Sequence, residues 1–120
     1  IEEDPDGVND ASTDGRSFAV GGGVAKAVVN VIQHRYPGRE VKVTSSQGLR
    51  ECRKMMQEAV AGKYPGYLLE GMACPGGCVA GAGTLLPVDL AAKVVGRYQS
   101  EASAASPLES AYRDEGEHLD

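Results

Sequence analysis

Two cysteines four positions apart are the residues of this chain best suited to chemistry. Cys74 and Cys78 enclose a Pro-Gly-Gly turn within the stretch EGMACPGGCVAGAG, residues 70–83. Thiolates bind zinc and iron-sulfur clusters, and a 4Fe-4S cluster commonly takes four of them. On this spacing alone, half of an iron-sulfur site, a redox-active disulfide and two unrelated small residues stay equally open.

Two further sulfur-bearing residues have more ordinary interpretations. Cys52 falls on the apolar stripe of a predicted helix, together with Leu49, Met56 and Ala59, and this position is typical of a buried structural thiol rather than a metal ligand. Met72 stands two positions before Cys74, and core packing is the usual role of a methionine. By type and position alone, neither residue adds to the site.

Short strands and helices alternate along the middle of the chain. The hydrophobic patterns predict strands at residues 17–20, 40–44 and 67–70. They predict helices that begin at Val24, Leu49 and Pro87, with a shorter helical piece at 107–114. A glycine turn at residues 21–23 matches neither common phosphate-binding glycine pattern, so we assign it to close packing of a helix on a strand.

Strands joined by helices of this length pair in parallel. The predicted fold is therefore α/β, a small parallel β-sheet with flanking helices and a helical C-terminus. In such sheets, functional groups gather just outside the carboxyl ends of the strands. The cysteine loop follows one predicted strand and the glycine turn follows another, so we expect both loops on one rim of the sheet.

The composition indicates one globular domain between two acidic ends. The chain has 120 residues, 42% of them hydrophobic, which is enough for a single core. Carboxylates dominate the residues before Arg16 and again those near the C-terminus. We predict an acidic disordered segment at 1–14, the domain at 15–105 and an acidic tail at 106–120.

The charge and hydropathy of the chain exclude some kinds of partner. A net charge of -5 without interleaved aromatic residues argues against nucleic acid. No apolar run approaches the ~20 residues that cross a bilayer, and no leader sequence opens the chain, so we expect no membrane partner and a cytoplasmic location. The basic residues of the middle segment fit either a docking surface for an acidic protein or the solvated faces of helices.

A first residue of Ile1 rather than Met indicates a piece of a longer protein.

The wider cysteine segment resembles a motif of one metalloenzyme family. EGMACPGGC is similar to the third cysteine motif, E-x-M-x-C-x-x-x-C, of the iron-only (FeFe) hydrogenases. Upstream, GRSFAVGGGVAKAVVNVI is similar to the G-x-x-F-x-x-x-G-G-V segment of the same family. The likeness covers residues 15–98 and corresponds to the C-terminal part of the large-subunit catalytic domain.

This resemblance implies a role for each residue of the motif. Cys74 and Cys78 would supply two of the four cysteines of the H-cluster, a 4Fe-4S cubane joined through one cysteine sulfur to a di-iron subsite. Cys74 would ligate the cubane alone, whereas Cys78 would also bridge to the di-iron unit. Met72 would be the catalytic-site residue that packs against that subsite. The implied activity is the reversible interconversion of dihydrogen with protons and electrons.

The resemblance also implies partners, because the other cluster motifs of the family are absent from this sequence. The remainder of a hydrogenase chain would supply the missing ligands, and an acidic electron carrier such as ferredoxin would exchange electrons. The isolated fragment is expected to be inactive and to hold no cofactor. Departures such as VAGAGTLLPV after the motif indicate a divergent subgroup. A non-enzymatic hydrogenase-like protein of iron-sulfur cluster assembly and a sensory hydrogenase stay open as alternatives.

Overall fold

A strand–helix–strand unit forms the centre of the molecule. The structure, a computed structural model, describes residues 10–110, 113 and 114. Within them the main elements are α1 (Thr13–Arg16), α2 (Gly23–Arg35), β1 (Lys42–Gln47), α3 (Leu49–Val60), β2 (Tyr67–Met72) and α4 (Val88–Ser100). Short 3₁₀ helices lie at Ser17–Ala19, Cys78–Ala80 and Pro107–Glu109. The predicted α/β class, with a small parallel sheet and flanking helices, is confirmed.

The two strands pair in parallel and end together. The register runs from Lys42 opposite Tyr67 to Gln47 opposite Met72. One residue beyond the strand, the backbone N–H of Gly48 donates to the carbonyl of Met72 at 2.8 Å. The carboxyl edge of the sheet is thus a defined rim, with Gln47 and Met72 side by side.

Helices α2 and α3 cover opposite faces of this sheet. At the start of α2, the backbone N–H of Ala25 donates to Oε1 of Glu70 at 3.0 Å. The next residue of the strand, Gly71, faces α3, where a Cβ on it would lie 3.3 Å from Sγ of Cys52. Since successive strand residues point to opposite faces, the two helices sandwich β2.

The prediction of a strand at residues 17–20 is wrong. Ser17–Ala19 is a 3₁₀ helix, closed by the N–H of Val20 on the carbonyl of Ser17 at 3.0 Å. The hydroxyl of Ser17 donates to the carbonyl of Asp14 at 2.6 Å. Such local hydrogen bonds compete with strand pairing, and a run of four apolar residues is too short to decide between them. In the described part of the chain the sheet has two strands rather than the three predicted.

Residues 12–14, which belong to the predicted N-terminal segment, pack against the part of the chain that follows α4. Ser12 and Asp14 are buried, and the N–H of Thr13 donates to the carbonyl of Ala104 at 2.8 Å. These contacts attach α1 to the chain that follows α4. Of the predicted acidic segments, residues 1–9, 111–112 and 115–120 lie outside the described residues, and the domain limits stay predictions. Within the helical piece predicted at 107–114, the described residues form the 3₁₀ helix Pro107–Glu109, and residues 111 and 112 lie outside the described part of the chain.

Helix α3 turns a different side inward from the one predicted. The stripe was expected to contain Leu49, Cys52 and Met56, but Met55 is the buried methionine. Met56 is 54% exposed and Leu49 is 74% exposed. Residues three positions apart lie on the same side of a helix, so Cys52 and Met55 share the face that α3 turns inward.

The apolar interior of this chain is thin. The buried apolar residues are Ala25, Ala27, Met55 and Val79, and no large side chain of the described residues is fully buried. By contrast, Leu85 is 96% exposed and α4 contains no buried residue. A self-sufficient domain buries its large aliphatic side chains, and contiguous exposed apolar surface marks an interface. The fold therefore supports a lobe that packs against further protein.

A polar cluster fixes the turn between α3 and β2. The hydroxyl of Tyr64 and the ammonium of Lys63 both donate to Oε2 of Glu58, at 2.7 and 2.9 Å. These bonds, that of Tyr64 first, lower the pKa of Glu58, and the same carboxylate raises the pKa of Lys63 and of Tyr64. A lowered carboxyl pKa stabilises the fold above the unfolded value and ceases to do so as pH falls through the folded one. Because solvent reaches the cluster, its contribution to stability is small.

Candidate metal centre

The cysteine loop leaves the carboxyl edge of β2. That strand ends at Met72, and Cys74 follows it as a half-buried side chain. Cys78 is exposed and begins the 3₁₀ helix Cys78–Ala80. Both thiols therefore lie within six residues of the strand end, at the edge where parallel sheets place functional groups.

Successive tight turns shape the loop around the two thiols. The N–H of Gly77 donates to the carbonyl of Cys74 at 3.0 Å, and the N–H of Gly81 donates to that of Cys78 at 2.9 Å. Gly77 has a φ of 94°, in the left-handed region that L side chains rarely adopt. This backbone conformation turns the chain back between the cysteines.

The glycine turn that precedes α2 contacts this loop through its backbone. The N–H of Gly21 donates to the carbonyl of Gly76 at 3.1 Å. A Cβ on Gly77 would lie 2.6 Å from the nitrogen of Gly21 and 2.7 Å from the carbonyl oxygen of Ala19. The expected sharing of one rim by the two loops is confirmed, although a 3₁₀ helix rather than a strand delivers the glycine turn.

Met72 lies beside a buried carboxylate that sequence reasoning missed. Both Met72 and Glu70 line a cavity of about 200 Å³, with apolar walls from Val24, Val28 and Leu68. Glu70 is 7% exposed, and its Oε2 has no hydrogen-bond partner in the described part of the chain. The signal in the sequence was a glutamate inside the apolar strand YLLE, where a charge is costly unless it is paired.

Cys52 is not the buried core thiol that was predicted. It is half-buried, and its Sγ lies 3.4 Å from the carbonyl of Ser46 and 3.5 Å from that of Met72. It stands in the first turns of α3, directly over the ends of both strands. The thiol donates to these two carbonyls. Cys52 therefore links α3 to the ends of both strands, and it is not a third candidate ligand beside Cys74 and Cys78.

The loop fits a share of a thiolate metal site. Among residues 10–110, 113 and 114, no three potential metal ligands lie together. This part of the chain therefore does not supply the further ligands that a metal site at Cys74 and Cys78 would need. A Cβ on Gly81 would lie 3.6 Å from Sγ of Cys74 and 3.1 Å from the carbonyl of Cys78. The missing side chain leaves room beside the Cys74 sulfur for a bulky inorganic partner. Soft thiolates beside small residues suit an iron-sulfur cluster.

The environments of the three cysteines predict an order of reactivity. In metal-free protein we expect a thiol reagent to modify Cys78 first, Cys74 more slowly and Cys52 last. Cys78 is exposed and the other two are half-buried, and of these two Cys52 is the one whose thiol contacts the carbonyls of Ser46 and Met72. Timed alkylation followed by peptide mass spectrometry measures the three rates. In denaturant the rates should converge, which is the control. Modification of Cys52 as fast as Cys78 contradicts the contacts of its thiol with the strand ends.

A lobe with two thiols at the edge of a parallel sheet, and with no third potential ligand beside them among the described residues, has the features expected of one part of a cluster-binding metalloprotein. The sequence model of the family described as "Iron only hydrogenase large subunit, C-terminal domain" matches residues 1–82, and the chain belongs to this family. The match includes Met72, Cys74 and Cys78 and ends before α4.

The chain matches a small part of one longer relative. The chain is 41% identical over 61 residues to the "Periplasmic [Fe] hydrogenase large subunit" of Nitratidesulfovibrio vulgaris, strain Hildenborough. The aligned part is 51% of this chain and 13% of that protein. In the described part of the present chain, no helix combines the length and apolar character needed to cross a membrane.

Proposed function

We propose that the chain is part of an iron-only hydrogenase that interconverts dihydrogen with two protons and two electrons at an H-cluster. The observation that carries the proposal is the placement of two thiols in a backbone-clamped glycine loop at the carboxyl edge of the sheet. This loop lies inside the family match. When bound, the cluster supplies the redox chemistry, while the protein positions it and controls its surroundings.

Cys74 and Cys78 have different places in this proposal. Cys78 is exposed at the start of a 3₁₀ helix, which suits a sulfur that faces both the cubane and the di-iron subsite. Cys74 is half-buried beside Gly81, which suits a ligand of the cubane alone. The remaining two cysteines come from the rest of the hydrogenase chain.

Met72 would present a soft thioether to the di-iron subsite. Its position at the last pair of the sheet, opposite Gln47, puts it at the same rim as the cysteines. It lines a pocket together with Val24, Val28 and Leu68, so apolar side chains surround it on that side of the rim. A flexible thioether fills irregular space without adding a charge.

Two partners belong to the same proposal. The exposed apolar side chains of α4 and of Leu85 support packing against the rest of the hydrogenase. On α3, the exposed Arg50, Arg53 and Lys54 support an acidic electron carrier of the ferredoxin type. A cytoplasmic location stays a prediction, and the relative from Nitratidesulfovibrio vulgaris is called periplasmic.

The complete protein tests the proposed function. Produced without oxygen together with the hydrogenase maturation enzymes, it should evolve hydrogen from a reduced dye and show infrared bands of iron-bound carbon monoxide and cyanide. A cubane without these bands would favour the cluster-assembly alternative. Bands with almost no turnover would favour the sensory one. Absence of both cubane and bands would overturn the assignment of the loop.

The 120-residue chain on its own should not assemble the site. After anaerobic treatment with iron and sulfide we expect well under one 4Fe-4S cluster per chain and no hydrogen evolution, because two thiolates leave half of the cubane unligated. Iron and sulfide analysis with electron paramagnetic resonance of the reduced sample measures this. The complete protein, treated in parallel, is the control. A stoichiometric cubane in the isolated chain contradicts the division of ligands.

A further inference from the structure

The side chain of Gln47 holds the cysteine loop from the neighbouring strand. Gln47 is the last residue of β1 and pairs with Met72 across the sheet. Its Oε1 accepts a hydrogen bond from the backbone N–H of Gly76 at 2.7 Å. Gly76 lies midway between the two candidate ligands, so this bond reaches the loop at its centre.

The glycine turn at residues 21–23 bonds to the carbonyl group of Gly76. The N–H of Gly21 donates to the carbonyl of Gly76 at 3.1 Å, so both polar backbone groups of Gly76 are engaged. A Cβ on Gly21 would collide with Nε2 of Gln47. Gly21 does not have a positive φ, so a Cβ there would displace the flexible end of the Gln47 side chain rather than strain the backbone.

We infer that Gln47 is a positioning residue, which sets the distance and direction between Cys74 and Cys78 through its bond to Gly76. We call Gln47, Gly21 and Gly76 together the Gln47 clamp, and the contacts described above are the evidence for it. Its effect on a bound cluster rests on the proposed function. A neutral amide suits this role because it supplies the acceptor without placing a charge beside the thiolates.

Thiol reactivity of the complete, metal-free protein tests the clamp without reference to activity. Gln47→Leu removes the acceptor at similar volume, and Gly21→Ala displaces the amide while leaving Gln47 in place. We expect either change to speed alkylation of Cys74 about fivefold, the factor that corresponds to one lost hydrogen bond of ordinary net strength. Gln47→Glu keeps an oxygen for Gly76 and should retain the slow rate.

The control is Gln33→Leu, an exposed glutamine near the far end of α2, which should leave the rate unchanged. Thermal melts of all variants separate an opened loop from an unfolded protein. A Gln47→Leu protein that alkylates like wild type overturns the clamp. So does a Gln47→Glu protein that alkylates as fast as Gln47→Leu, because the acceptor would then be irrelevant.

A spectroscopic measurement on the cluster-loaded complete protein extends the test. Gln47→Glu places a negative charge beside the loop, so the midpoint potential of the cubane should fall, and the infrared bands, where present, should move to lower frequency. Gln33→Glu should change neither. An unchanged potential in Gln47→Glu overturns the placement of this side chain beside the cluster. Missing infrared bands in wild type would overturn the proposed function and leave the alkylation result standing.

Discussion

Cys78→Ser in the complete, cofactor-loaded protein is expected to abolish hydrogen turnover and to remove the infrared bands of bound carbon monoxide and cyanide. The exposed sulfur of Cys78 is the one proposed to face both halves of the cofactor. A serine hydroxyl is a hard and weakly acidic ligand, so it replaces the thiolate at neither iron unit. Hydrogen evolution by gas chromatography and the infrared spectrum of the same sample measure the two losses together.

Met72→Leu is the matched comparison for this loss. Leucine conserves the approximate volume of methionine, and such exchanges usually cost under about 1.5 kcal/mol, so the fold and the cubane should remain. Removal of the sulfur should lower turnover or retention of the di-iron subsite while leaving the cubane signal intact. Full hydrogen turnover in Cys78→Ser would remove the loop from the catalytic site. Equal loss of the cubane in both variants would show that Met72 acts through folding alone.

Local patterns were sufficient to predict the strand–helix–strand unit. The alternation around Lys42 and the helical spacing from Leu49 to Val60 each point to one element, and parallel pairing follows from the length of the helix between the strands. The same reasoning predicts that the cysteine loop lies at the carboxyl edge. It failed at residues 17–20, where the hydroxyl of Ser17 bonds to the backbone of Asp14 and a short helix results.

The polar residues around the site were not predictable in this way. Gln47 lies beyond the predicted strand 40–44 and has no distinguishing pattern around it, and Glu70 in YLLE indicates only that a charge in an apolar strand needs a partner, not which partner it has. Their roles depend on Gly76 and Ala25, which lie 29 and 45 positions away in sequence. Gly21 and Gly77 gave a stronger signal as glycines, but their mutual contact is visible only once both loops are folded against each other.

Gly77→Ala is expected to disrupt the loop more severely than the loss of any single hydrogen bond. The new Cβ would lie 2.6 Å from the nitrogen of Gly21, 2.7 Å from the carbonyl oxygen of Ala19 and 2.9 Å from the carbonyl carbon of Val20. All three atoms are backbone, so no side-chain rotation relieves the overlap, and the left-handed φ adds its own strain. We expect the free energy of unfolding of the complete protein to fall by roughly 3–5 kcal/mol and cluster content to be lost.

Gly62→Ala separates the two causes of this effect. Gly62 has a φ of 86°, close to that of Gly77, but a Cβ on it would have no neighbour within 4 Å. Its substitution should therefore cost only the left-handed strain, about 1–2 kcal/mol, and leave cluster content unchanged. Denaturant titration and iron analysis of both variants decide the matter. If Gly77→Ala has the same free energy of unfolding as Gly62→Ala and keeps its iron, the contact between the glycine turn and the cysteine loop does not hold the two ligands in place.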